Sequence, residues 1–266
     1  MIARRVGDTG SKEPALLYLP GIDGTGELLL ETAERLSRRF RVVRLAYEIG
    51  SDAPAPGSGY PELARSVSER IEEGGIQRAL VLAESFGVGV ALELALDHPE
   101  RVAALALVNG FAHFERRFHL LASRAVARVA PDALFALGRR LGARRMLFAP
   151  RRAARERELF RAVSRHAFGP GYRARLAMIG RLDLRARLSE IRCPVALFAS
   201  DRDRIVPAVR AAREMQRLLP DVTLEILPRA GHVVLPLEEE PWPERMLALA
   251  GREGFPAATA RTPPAS

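Results

Sequence analysis

The sequence predicts a doubly wound α/β fold. Three observations carry that expectation: six short apolar runs bounded by turn residues, helical patterns between them, and one long Arg-rich stretch that interrupts the alternation. The runs are Ala15–Leu19, Val42–Ala46, Ala79–Ala83, Val102–Val108, Val195–Ala199 and Thr223–Leu227. Each is brief and mostly apolar, the pattern of a strand buried on both faces, so six parallel strands are expected. After Pro61, the recurrence of Leu63, Val67 and Ile71 every four residues marks an amphipathic helix. Phe86–His98 is rich in Ala, Val and Leu and stops at Pro99, which cannot continue a helix. Strand, helix and strand repeated in this way imply right-handed crossovers. The alternation breaks after Asn109. Phe118, Leu121, Ala122, Ala125, Val126 and Val129 form a helical stripe, with Arg116, Arg117, Arg124 and Arg128 off it. Further helical patterns, interrupted at Pro131, Pro150 and Gly169–Gly171, run to about Leu188.

The expected organisation is a core of residues 1–110 and 191–255, an Arg-rich helical cap at 111–190 and a disordered tail at 256–266, which has no apolar periodicity. At 266 residues, with 48% hydrophobic and 27% charged side chains, the chain is not wholly disordered, collagen-like or coiled-coil. It has no run of eighteen apolar residues, so no membrane-spanning helix is expected. The first fourteen residues lack the apolar stretch of a secretory signal, from which a cytoplasmic location is expected. Cys193 is the sole cysteine, which excludes an internal disulfide, and its place before Pro194 at a strand start reads as packing. The net charge of +9 is concentrated: residues 111–190 hold 19 Arg against 6 Asp and Glu. Lys12 is the only lysine, so base composition of the genome accounts for the Arg excess as readily as selection for guanidinium contacts does.

The segment Ala79–Gly89, ALVLAESFGVG, carries the chemistry. A strand runs into Ala83-Glu84-Ser85-Phe86-Gly87 and a helix begins at once, the strand–turn–helix context of a nucleophile elbow with Ala83 in place of the first Gly. Such a turn strains the Ser85 backbone and crowds its neighbours, which favours small residues two before and two after it. A serine hydroxyl needs a base, and the base needs a partner that fixes its tautomer. Of five histidines, His98, His113, His119 and His166 read as surface residues. His232 instead follows the last strand, at the edge where open α/β sheets build their sites. The orienting carboxylate is expected between Ser85 and His232 in chain order, in Ser200-Asp201-Arg202-Asp203-Arg204-Ile205-Val206-Pro207. Asp203 is favoured over Asp201 because it lies later along the loop. An Asx-turn or helix cap before Pro207 is its alternative use. Asn109-Gly110, after the strand ending at Val108, offers no carboxylate. Donors for a developing oxyanion are assigned to the backbone N–H groups of Phe86 and of Ile22, the latter in the loop Pro20-Gly21-Ile22-Asp23-Gly24-Thr25-Gly26. That loop lacks the spacing and the Lys-Ser/Thr of a phosphate-cradling P-loop.

PGIDGTG, AESFG, SDRDRIVP and AGH, in this order, resemble the α/β-hydrolase superfamily over roughly Ala15 to Leu249. The resemblance implies the α/β-hydrolase fold, Ser85 as nucleophile, His232 as base, Asp203 as acid, and a cap inserted where 111–190 lies. LPGIDGTG with ESFG is most similar to bacterial esterases of this superfamily and to the plastid phytyl ester synthase/diacylglycerol acyltransferase group. Pro20 stands where many members have His, and the family's initial antiparallel hairpin is expected to be shortened or missing, which would leave a sheet edge exposed or paired with a partner. Ser85 argues against haloalkane dehalogenase and epoxide hydrolase chemistry, since the members that resemble those enzymes carry Asp there. Neither a cofactor fingerprint nor a metal constellation is present, so no cofactor and no metal are expected.

The leading expectation is a serine hydrolase of carboxylic esters acting through an acyl-enzyme on a small-molecule acyl ester. An acyltransferase using the same residues with an alcohol as acceptor is the alternative, and a non-catalytic module that binds an apolar ligand is the second. The Arg-rich cap reads as a solvated helix face, or as a surface for an anionic partner or an acidic lipid surface. Nucleic-acid binding is not expected, because no recognition motif or interleaved aromatics occur.

Overall fold

The computed structural model describes residues 2–8, 14–29, 31–48, 59–114, 147–148 and 171–254. Seven strands form one sheet: β1 (Ile2–Asp8), β2 (Ala15–Leu19), β3 (Arg41–Glu48), β4 (Ala79–Glu84), β5 (Val102–Val108), β6 (Val195–Ser200) and β7 (Val222–Leu227). Their spatial order is β1-β3-β2-β4-β5-β6-β7. All neighbouring pairs from β3 to β7 are parallel, as the six apolar runs predicted.

Side chains alternate across each strand, and here both faces are covered. In β2, Leu17 and Leu19 enter one core with α2 (Tyr60–Glu73), α3 (Phe86–Asp97), α4 (Tyr172–Ile179) and α5 (Ala208–Leu218). Leu16 and Tyr18 enter the other with α1 (Glu31–Ser37) and α6 (Trp242–Arg252). The period-four residues Leu63, Val67 and Ile71 are all buried. Parallel strands point their C-terminal ends the same way, so the loops after β2, β4, β5, β6 and β7 converge on one edge.

Two expectations are corrected. Of the initial hairpin, expected to be shortened or missing, the described residues hold one strand: β1 pairs antiparallel with β3, from Ile2 opposite Glu48 to Asp8 opposite Val43, so the edge of β3 is paired within the chain and neither exposed nor left to a partner. Its sequence, IARRVGD, carries no apolar run, so the signal that marked the central strands does not mark it. At the far edge, β7 is not buried on both faces. Thr223, Glu225 and Ile226 are exposed, Ile226 at 40%. The helical stripe from Phe118 to Val129, its flanking arginines, the breaks at Pro131 and Pro150, His119, His166 and the tail at 256–266 lie outside the described residues. Of the expected cap, the described parts are residues 111–114, 147–148 and 171–190, with α4 and a 3₁₀ turn at Arg185–Glu190. Among the described residues no helix is long and apolar enough to cross a membrane.

Candidate active site

Ser85 is the single residue between β4 and α3. Its backbone sits at φ 51°, ψ −115°, a conformation that costs a non-glycine residue about 1–3 kcal/mol and persists only where neighbours impose it. The neighbours are identifiable. Ser85 N–H donates to the Val108 carbonyl at 2.9 Å, and the Ser85 carbonyl accepts from Val88 N–H at 3.1 Å. Gly87 lies so close to the end of β2 that a Cβ would stand 2.5 Å from the Leu19 carbonyl oxygen and 2.6 Å from that of Pro20. A side chain there would have to displace backbone. The crowding expected two residues after Ser85 is therefore present, and Ala83, two before, is fully buried.

His232 reaches this serine from the loop after β7. Its Nε2 lies 3.0 Å from Ser85 Oγ, and its Nδ1 lies 2.6 Å from Asp203 Oδ2. An ionised carboxylate can only accept, so Nδ1 carries the hydrogen and the Nε2 lone pair faces the hydroxyl. The Asp203 side chain is wholly buried, and its second oxygen, Oδ1, accepts Ile205 N–H at 2.8 Å and Val206 N–H at 2.9 Å. Asp203 thus makes both contacts at once: one oxygen builds an Asx-type turn, the other meets His232 Nδ1. Asp201 instead accepts Ala230 N–H at 3.2 Å and lies exposed. Burial opposes the imidazolium, but the Asp203 charge and hydrogen bond, with Glu84 nearby, outweigh it and lift the His232 pKa above its ordinary value.

The loop after β2 lies against Ser85, with the position of a Gly21 Cβ 3.6 Å from Ser85 Cβ. Among the described residues, neither the Ile22 N–H nor the Phe86 N–H donates to a protein acceptor. Helix N-termini and turns leave such donors free for a ligand oxygen. The Phe86 ring is buried against Tyr47 and Tyr60, with centroids 5.7 and 4.8 Å away, which fixes the first turn of α3.

Three contributors were not singled out from sequence. Asn109, at φ 48° just past β5, is buried and ties three strand ends together. Its Nδ2 donates to the His232 carbonyl at 2.8 Å and to Ser200 Oγ at 2.9 Å, while its Oδ1 accepts Ser200 N–H at 2.8 Å. The sequence signal was available: where a carboxylate was sought and not found, an amide stood. Arg175 on α4 is buried against the loop after β2, and nothing in its sequence separates it from the other 18 arginines of 111–190. Glu84 precedes Ser85 and accepts from the Tyr18 hydroxyl. Burial pushes its pKa up to about 7; the Tyr18 bond pulls the other way, Asp23 adds to the rise and His232 offsets part of it.

That shift has a measurable consequence. A carboxyl whose folded pKa exceeds its unfolded value stabilises the fold fully below the unfolded value, and the contribution is lost as pH rises through the folded one. Stability is therefore expected to fall between pH about 4.5 and 7 through Glu84. Thermal midpoints across that range should decline less in Glu84→Gln than in wild type; identical slopes would refute the assignment.

His98 and His113 are half-buried: His98 caps α3, and His113 forms a backbone bridge with Asp183. Cys193 is part-buried, and burial lifts its thiol to about 11, which disfavours a thiolate nucleophile. Among the described residues no group of three or more His, Cys, Asp or Glu side chains could hold a metal ion.

A family model described as alpha/beta hydrolase fold matches residues 14–239, most of the chain. The chain belongs to the alpha/beta hydrolase family. Within it, a relative from Klebsiella pneumoniae subsp. pneumoniae named "Putative carbamate hydrolase RutD" is 29% identical over 231 residues, 82% of this chain and 84% of the relative. Among solved structures, the enol-lactonase from Burkholderia xenovorans LB400 superposes with a TM-score of 0.80 at 18% identity, covering 94% of this chain and 95% of that one. An esterase from Thermogutta terrifontis superposes with a TM-score of 0.78 at 20% identity, covering 97% and 94%. These two likenesses establish the alpha/beta hydrolase fold of the chain.

Proposed function

We propose that this chain is a serine hydrolase that cleaves carboxylic acyl esters through an acyl-enzyme. The observation that carries the reading is the unbroken chain of contacts from Ser85 Oγ to His232 Nε2 and from His232 Nδ1 to Asp203, at 3.0 and 2.6 Å. Ser85 Oγ attacks the ester carbonyl carbon as its proton passes to His232 Nε2. The carbonyl oxygen, now negative, is received by the N–H groups of Ile22 and Phe86. The imidazolium, steadied by Asp203, gives the proton to the departing alkoxide, which leaves as an alcohol. Water then repeats the sequence on the acyl-Ser85 ester and releases the acid. The same attack serves any carbonyl with a competent leaving group, and the name of the Klebsiella relative adds carbamates to the substrates worth assaying.

Incubation with a fluorophosphonate probe tests the reading. Wild type is expected to be labelled and Ser85→Ala not, and acyl esters of graded length are expected to be turned over by wild type alone. Absence of both labelling and turnover would favour the binding-module reading and defeat this one. Adding a long-chain alcohol separates the two enzymic outcomes: free acid marks hydrolysis, a new ester marks acyl transfer.

A further inference from the structure

Arg175 sits on the cap side of the molecule, 153 residues along the chain from Ile22, yet only 1% of it is exposed. A buried guanidinium is costly unless its donors are satisfied. Here they reach backbone carbonyls, two of them in the loop after β2 and one in β3. Nε–H donates to the Ile22 carbonyl at 2.7 Å, one Nη2–H to the Asp23 carbonyl at 2.8 Å, and Nη1 lies 3.5 Å from the Tyr47 carbonyl.

The residues it grips form a β-turn, closed by Gly24 N–H on the Gly21 carbonyl at 3.1 Å. The central peptide of such a turn, here Ile22–Asp23, has two orientations, type I and type II, and the second requires positive φ at the third residue. Asp23 does not have positive φ. Arg175 holds the carbonyl that would swing in a flip. The loop is also shaped around the guanidinium: Gly24 has φ +71°, and a Cβ there would stand 2.6 Å from Arg175 Cζ. The Gly24 carbonyl then accepts Tyr47 N–H at 2.8 Å, which anchors the far side of the turn to β3.

We propose that Arg175 is a positioning residue for oxyanion stabilisation: by clamping the Ile22 and Asp23 carbonyls it keeps the Ile22–Asp23 peptide from flipping and pins the turn in place, so that the Ile22 N–H, carried by the peptide just before it, stays at one distance from the carbonyl under attack. This rests on the ester-hydrolase reading. It also makes α4 a support of the reaction and not only a cover, since removing this one cap side chain frees a loop of the core.

The test compares wild type, Arg175→Met and Arg175→Lys in ester hydrolysis. It also measures their inhibition by a trifluoromethyl ketone, to which Ser85 Oγ adds to leave an anionic hemiketal oxygen in the oxyanion site. Deleting an oxyanion donor outright costs about 10²–10³-fold, so misaiming one is expected to lower kcat by about 10–100-fold in Arg175→Met. KM should stay within threefold, and the ketone should bind more weakly by the same factor as kcat falls. Lysine can reach one carbonyl but cannot bridge two, so Arg175→Lys is expected to recover only part of the loss. A role confined to stability would lower the thermal midpoint and leave kcat and ketone affinity unchanged in the folded fraction. Retention of kcat within threefold in the folded variants, or a loss confined to KM, overturns the inference. Should Arg175→Met not fold, Arg175→Lys decides on the same readings. A wild type that takes no fluorophosphonate and turns over no ester would instead overturn the function itself, before any Arg175 variant is compared.

Discussion

Replacing His232 with alanine is expected to lower kcat/KM for an acyl ester by about 10⁴–10⁶-fold, the scale on which a serine nucleophile loses activity without its base. Nε2 is the group that faces Ser85 Oγ at 3.0 Å, and among the described residues no other histidine approaches that oxygen. The loss should fall on kcat, with the thermal midpoint near that of wild type, because the His232 carbonyl keeps its bond from Asn109 Nδ2 when the ring is removed. Turnover within tenfold of wild type would show that another group takes the proton. The wild-type pH profile is linked to the same ring. Only neutral imidazole accepts a proton, so activity is expected to fall as pH drops through the His232 pKa. That acid limb should lie above the ordinary imidazole value, near 6.5, because Asp203 and Glu84 favour the imidazolium against the opposing effect of burial.

Asp203→Asn is expected to cost about 10⁴-fold in kcat. An amide can present its own N–H groups to Nδ1, which moves the ring hydrogen to Nε2 and removes the lone pair that faces Ser85. Asp201→Asn supplies the matched comparison. Asp201 is exposed and bonded to Ala230 N–H, so its kcat should stay within a few fold of wild type. The two aspartates are separated by a single residue, and a large loss in the Asp201 variant with little in the Asp203 variant would reverse their assigned roles. Asp203→Asn also retains the turn bonds to Ile205 and Val206, since the amide oxygen can accept both. Stability is therefore a poor explanation for any loss.

The central sheet was legible because burial on both faces forces unbroken apolar runs. β2 and β5 begin and end where those runs do. β1 was not legible, since IARRVGD contains no apolar run, and β7 was read as fully buried although half of it faces solvent. The side chains that the structure brings together as the candidate site, Ser85, Asp203 and His232, stood out because turn chemistry and chain order constrain them. Their supports did not. Arg175 works through backbone carbonyls, and a contact of that kind places no demand on neighbouring residue types. Asn109 was seen only as the absence of an acid. Glu84 occupied the variable position of A-x-S-x-G, where its tuning by Tyr18 and Asp23 depends on residues more than 60 positions away.

The distance along the chain between Ser85 and His232 is 147 residues. At translation rates of about 5–20 residues per second, a nascent polypeptide carries its serine for roughly 7–30 s before the imidazole has even been polymerised. Truncated products of synthesis are therefore chemically silent however well their first half folds. Two separately expressed halves, cut between α3 and β5, should each be inert and regain hydrolysis only on mixing.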